Sequence, residues 1–300
     1  MRRRSAAILR GMSLSPQTAG RLFVFAAAVL WSVNGFFVKN PIFADWPAER
    51  RGLLLAFWRA AFAVPALWPL VRRRTWRPGV VVMAVCFLAM NVVFLQSMVW
   101  TTAANAIWLQ NIAPLWVCLF ARLSGEALDR RDLPTLGFAA AGVGLILGCE
   151  LGGSWTGDAP RGVLLGALSG LFYGGVVHLL RHLRDVDAAW LIVVNLATTA
   201  VCLAPLPAVT GVWPHGIQWF ALAAFGLIQL GAPYYLFARG LKTISGQEGT
   251  GIGLLEPVLV PVWVYLSFGE RPAWWTIVGG GLILVGLSWR YLPRRPAERS

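Results

Sequence analysis

Glu256 stands in GLLEPVLVPVWVYLSFGE, a run from Gly253 that carries no other charge until it closes at Glu270. A carboxylate in such a segment is costly, and it reads in two ways. One is functional: the group carries a proton or contacts a substrate, as ionisable groups inside apolar segments commonly do. The other is structural: the group hydrogen-bonds backbone freed beside Pro257 and Pro261, neither of which has an N–H. Arg59, in FWRAAFA, is the one base inside an apolar run. It lies about 9 Å from one membrane face at 1.5 Å per residue, and Glu256 about 10 Å from the other face of a core roughly 30 Å thick. An ion pair between the two, a side chain that snorkels outward and contact with a substrate carboxylate all remain open for Arg59.

Uncharged polar and aromatic groups accompany them. The substrate-binding candidates are Trp31, Asn34, Arg59, Asn91, Trp108, Asn111, Tyr173, Gln229, Tyr234 and Glu256, with Gln96, Gln110, Asn195, Trp263 and Tyr265 as further polar or aromatic groups in the runs. Trp108 and Asn111 are three apart and share a helical face. The combination suits a cavity for an apolar or aromatic solute with a polar end. Interhelical hydrogen bonds and interfacial belts draw on the same residue types.

Other chemistry is poorly supplied. His178 and His182 are four apart, with Asp185 and Asp187 beyond, but Arg181 and Arg184 sit among them and no third ligand is evident, so no metal is expected. No glycine-rich phosphate loop appears, so no nucleotide or other cofactor is expected. Cys86, Cys118, Cys149 and Cys202 fall in or at the ends of apolar runs without redox or metal spacing and read as small hydrophobes. A membrane-embedded enzyme acting on lipid is the competing class, and it needs a convergent acid, base and nucleophile. With three histidines and one central acid, the chain is not expected to be an enzyme. A passive channel needs rings of lining groups that unequal halves do not readily give.

The elements that must position these residues are membrane helices. Of the 300 residues 57% are hydrophobic and only 13% charged, about half the charge of a soluble domain. Long unbroken apolar runs exclude a β-barrel, whose strands alternate. Ten helices are expected, at Leu22–Val38, Leu53–Val71, Gly79–Met98, Ala104–Leu123, Leu133–Gly148, Gly162–Leu180, Trp190–Val209, Ile217–Leu236, Gly249–Phe268 and Trp274–Tyr291. The basic start followed by an apolar run is too long for a signal peptide and reads as an uncleaved first span. The two tails and the loops on their side hold 20 of the 26 Lys and Arg, and the opposite side holds 5. That bias puts both termini in the cytoplasm and accounts for the net charge of +13 without a nucleic-acid partner.

The chain also repeats itself. NIAPLWVCLFARLSGEALDRRDLPTLGFAAAGVGLIL from Asn111 lies over the block that starts at Leu254. Pro114 meets Pro257, Gly125-Glu126 meets Gly269-Glu270, and Gly137 and Gly142 meet Gly281 and Gly286. Ala113 stands where Glu256 stands, so the repeat itself does not demand the acid. Residues 1–150 and 151–300 thus form two five-helix units. Five is odd, so the second unit enters the membrane inverted relative to the first. Inverted repeats are the construction of secondary transporters, with substrate bound near the midplane. Helix six adds Gly162, Gly166, Gly170 and Gly174, a smooth face for close helix approach.

The two P…GE…G…G blocks, Leu255-Glu256-Pro257 and FWRAAFA from Phe57 resemble the EamA family of the drug/metabolite transporter superfamily over nearly the whole chain. The resemblance implies a ten-helix carrier of small metabolites, often an exporter, in the bacterial inner membrane. Its partners would be the lipid bilayer and a small-molecule substrate, an amino acid or an aromatic or apolar metabolite. A monomer or weak dimer is expected.

Overall fold

The computed structural model describes residues 15–125, 132–152 and 157–291. Among them every regular element is helical. We number the helices in chain order and mark broken ones with letters. They are α1a (Pro16–Ser32), α1b (Asn34–Val38), α2 (Ala48–Leu67), α3 (Pro78–Trp100), α4a (Ala103–Gln110) and α4b (Ala113–Leu123). Next come α5 (Asp132–Leu151), α6 (Ala159–His182), α7 (Ala188–Leu203), α8a (Gln218–Ala224), a π-helical segment (Phe225–Gly231) and α8b (Ala232–Gly240). The last are α9a (Gly246–Gly253), α9b (Leu255–Phe268) and α10 (Trp274–Tyr291). Nine helical stretches among the described residues are long and apolar enough to cross a membrane, and α10 is a shorter apolar helix. The protein is therefore a polytopic α-helical membrane protein.

The ends follow local chemistry. Thr102 caps α4a by accepting from Asn105 N–H at 3.1 Å, which lets α3 and α4a join through two residues. Gly269 ends α9b in the left-handed region at φ 70°, where a side chain would be strained. Asp187 caps α7 and clamps the loop before α3. Its carboxylate accepts from Ala189 and Trp190 N–H at 2.9 and 3.3 Å, and from Arg72 and Arg73 N–H at 2.9 and 3.0 Å. Burial alone would push this carboxyl up, but the four backbone donors outweigh it and hold it below the usual carboxylate range. Asp187→Ala should therefore cost about 1–2 kcal/mol at neutral pH. A lowered folded pKa stabilises fully above the unfolded value and loses that effect as pH falls through the folded one. The melting temperatures of wild type and variant in detergent should thus converge in acid.

Four spans are interrupted, the seventh at Ala204-Pro205 before a short helix at Leu206–Thr210, and a fifth is widened. Pro114 and Pro257 stand at the second or third position of α4b and α9b, and neither offers an N–H to the turn before it. Pro233 does the same after the π segment, where Ala232 N–H reaches back to Leu227 C=O. The break in span 1, at Val33, has no proline, and its first half ends with Ser32 Oγ–H bonded to Val29 C=O at 2.7 Å.

Packing follows the spacing of small residues. α6 lies on α3 and on both halves of α4, and its glycine face is the contact. A Cβ on Gly162 would fall 2.7 Å from Thr101 N, and one on Gly174 2.6 Å from Trp116 Cβ. The face is thus used for static close packing. α8b and both halves of α9 pack on α1a, α2 packs on α7, and α5 packs on α10.

Candidate substrate site

Arg59 is 4% exposed on α2, on a face with Leu55, Ala56 and Ala63. Its guanidinium is held by three amide oxygens from three other spans. Nη1 donates to Gln229 Oε1 at 3.1 Å and to Asn34 Oδ1 at 3.5 Å, and Nη2 donates to Asn91 Oδ1. Arginine has donors only, so all three amides must turn their oxygens toward it. Gln229 then uses its own N–H to reach Trp31 C=O at 3.4 Å. Phe225 closes one face, its ring centroid 5.1 Å from the guanidinium carbon, and stacks in turn on Phe37 at 4.9 Å. The π segment delivers both Phe225 and Gln229. It fits only because Gly226 lets the backbones meet: a Cβ there would lie 2.6 Å from Arg59 O.

Arg59 therefore neither snorkels nor forms a direct ion pair. Among the described residues no carboxylate lies within 4.0 Å of it. Glu256 approaches the cluster on α9b, which packs on α1a and α1b, the two pieces that carry Trp31 and Asn34. It sits in the first turn of α9b, immediately after the break at Leu254. Its carboxylate is half-buried and has neither a hydrogen bond nor an ion pair among the described residues. The structural reading, bonds to backbone freed beside Pro257 and Pro261, is not what the geometry contains. Tyr234 is likewise half-buried with no hydrogen bond to its hydroxyl among the described residues, and packs edge-on against Trp31 at 5.3 Å.

The structure thus brings together Trp31, Asn34, Arg59, Asn91, Gln229, Tyr234 and Glu256. It does not bring Trp108, Asn111 or Tyr173 to them. Trp108 lies against Gly280 of α10, where a Cβ would meet its indole nitrogen at 2.5 Å, and lines a separate apolar cavity of about 220 Å³. Asn111 caps α4a, and its amide bonds Ile107 C=O at 2.8 Å. Tyr173 is exposed on α6. Phe225 joins the cluster without having been singled out as a candidate. A phenylalanine in an apolar helix carries no signal of its own.

The bundle end opposite the arginine-rich loops is tied together by polar contacts. Lys39 Nζ pairs with Glu270 Oε2 at 2.8 Å and donates to Thr101 C=O at 2.7 Å, while Glu270 Oε1 accepts from Ala103 N–H at 2.7 Å. Trp46, 1% exposed, donates to Gln218, which itself donates to Ile42 C=O and Asp45. Glu270→Ala should cost about 2 kcal/mol, because it strands a helix-end N–H and a lysine together. A fall in melting temperature without loss of secondary structure is the check. Toward the other end α9a, GQEGTGIG, is mostly exposed or half-exposed, and Arg21–Glu248, at 2.6 Å, adds an ion pair to its packing on α1a.

A helical membrane protein with a charged polar cluster at helix breaks has the build of a transporter. The profile of the EamA-like transporter family matches residues 18–148 and, a second time, 160–291. The chain belongs to that family, within the drug/metabolite transporter superfamily, and is a membrane-embedded transporter. It is similar to an uncharacterized transporter of Archaeoglobus fulgidus, at 27% identity over 279 residues, 90% of this chain and 96% of the relative. A crystal structure shares its fold with a TM-score of 0.65 at 21% identity, covering 94% of this chain and 98% of that one.

Proposed function

We propose that the protein is a secondary carrier that exports a small organic metabolite, such as an amino acid, by alternating access. Its frame is ten spanning helices in two inverted units, residues 1–150 and 151–300, with both termini in the cytoplasm of a bacterial inner membrane, as a monomer or weak dimer. The packing supports the two-unit reading. Moving each span five places along the chain converts the α3–α6 contact into α8–α1 and the α4–α6 contact into α9–α1, and returns α2–α7 and α5–α10 to themselves. The doubled family match supports it as well.

The observation that carries the site is the free carboxylate of Glu256 at a helix break beside the buried Arg59 network. A carboxylate without a protein partner can hold one cation at a time, a proton or the ammonium of a substrate. Competition between the two couples transport to the proton gradient. Arg59 and its amides set the field in which that exchange occurs. Trp31 and Tyr234 provide the aromatic wall. Family membership favours transport over catalysis on lipid.

The test is flux. Liposomes containing purified protein and loaded with unlabelled amino acid should take up the labelled one by saturable counterflow. Flux that never saturates and shows no counterflow would mean a channel. No flux across a broad panel of metabolites would remove the carrier reading.

A further inference from the structure

The loop between α2 and α3 at the arginine-rich end carries Arg72, Arg73, Arg74 and Arg77. It is fixed and not loose, since Asp187 binds its backbone and Trp190 Nε1 donates to Thr75 C=O at 2.9 Å. Two of the four guanidiniums are occupied: Arg77 pairs with Asp185 at 2.6 Å, and Arg74 lies 4.7 Å over the Trp68 ring. Arg72 and Arg73 are exposed, and among the described residues neither side chain has a hydrogen bond or an ion pair.

Directly beside this loop opens an apolar groove of about 320 Å³. One wall is a single face of α7, with Trp190, Val194, Thr198 and Cys202 at four-residue steps, and Trp68 and Trp76 form its other side. From Trp190 to Cys202 the face runs about 18 Å at 1.5 Å per residue. Nearly all its lining is apolar, and Val201 is 72% exposed. The groove thus faces the bilayer, with interfacial tryptophans and free arginines at one end.

We propose that this groove and loop form a binding site for one anionic phospholipid of the membrane. An acyl chain lies along α7, and the phosphate is held by Arg72 and Arg73. The charge argues for this occupant: guanidinium forks match phosphate oxygens in geometry and sign. A neutral lipid would fill the groove but leave both cations unanswered. Trp76 stands edge-on to Trp190 at 5.2 Å, where an indole belongs at headgroup depth. By binding across α7 and the α2–α3 loop, the lipid braces the two elements that Asp187 already joins.

Native mass spectrometry of the full chain in neutral detergent, titrated with phosphatidylglycerol and with phosphatidylcholine, tests it. One phosphatidylglycerol should bind saturably, at least about tenfold tighter than phosphatidylcholine. Two arginines near a membrane surface predict that R72Q/R73Q weakens phosphatidylglycerol binding about thirtyfold, to the level of phosphatidylcholine. Arg50→Gln, an exposed cation at the opposite end, should change it less than about twofold. Thr198→Phe, which fills the groove and spares the arginines, should weaken it too. Inorganic phosphate should not compete at equal concentration, because it lacks the chains. Equal affinity for the two lipids, an unaffected double variant or competition by phosphate would overturn the proposal. So would a stable dimer that excludes lipid.

Discussion

Arg59→Ala should lower the stability of the protein by about 3–5 kcal/mol and abolish transport. The side chain is the shared donor for Asn34, Asn91 and Gln229, which reach it from α1b, α3 and the π segment. Its removal leaves three amide oxygens facing each other in an apolar interior, each with an unmet desolvation cost of about 1–3 kcal/mol. The void against Phe225 adds to this. Partial relaxation of the amides keeps the total below the simple sum. Arg59→Lys should fall between: a point charge on a flexible stem cannot hold three acceptors in the geometry of a planar fork. Thermal unfolding in detergent, with counterflow on the fraction that remains folded, separates the structural loss from the functional one. A variant that melts like wild type would show that the amide cluster does not depend on its arginine.

Glu256→Gln should have the opposite profile. The carboxylate has no hydrogen bond or ion pair among the described residues, so exchange for an isosteric amide should move stability by no more than about 0.5 kcal/mol. Transport should fall at least about thirtyfold, as expected when one charge of a charged contact is removed. The residual flux should lose its dependence on a pH gradient, because an amide does not titrate between neutral and mildly acid pH. A structural carboxylate would give the reverse: lower stability, with pH dependence intact in what survives.

Much of the frame is legible in the sequence. Apolar length and the Pro114/Pro257 echo come from forces that act locally along a chain. The glycine face of α6 was also visible, and it packs where its spacing implies. The partners of Arg59 were not legible. They lie 25, 32 and 170 residues away, and nothing local couples those positions. Trp108 and Asn111 share a face in an unbroken helix, but the helix stops at Gln110, and Asn111 is used to cap it. Glu270 looked like a marker for the end of a repeat. It also holds Lys39 and the first N–H of α4a, a contact between loops distant in sequence.

The central claim is that Glu256 is the titrating, substrate-facing group of a carrier. Wild type and Glu256→Gln, reconstituted at equal density and shown to melt alike, should be compared for counterflow with and without an imposed pH gradient. The account predicts that the gradient stimulates the wild type and leaves the variant slow and unstimulated. Equal stimulation of both proteins would contradict it.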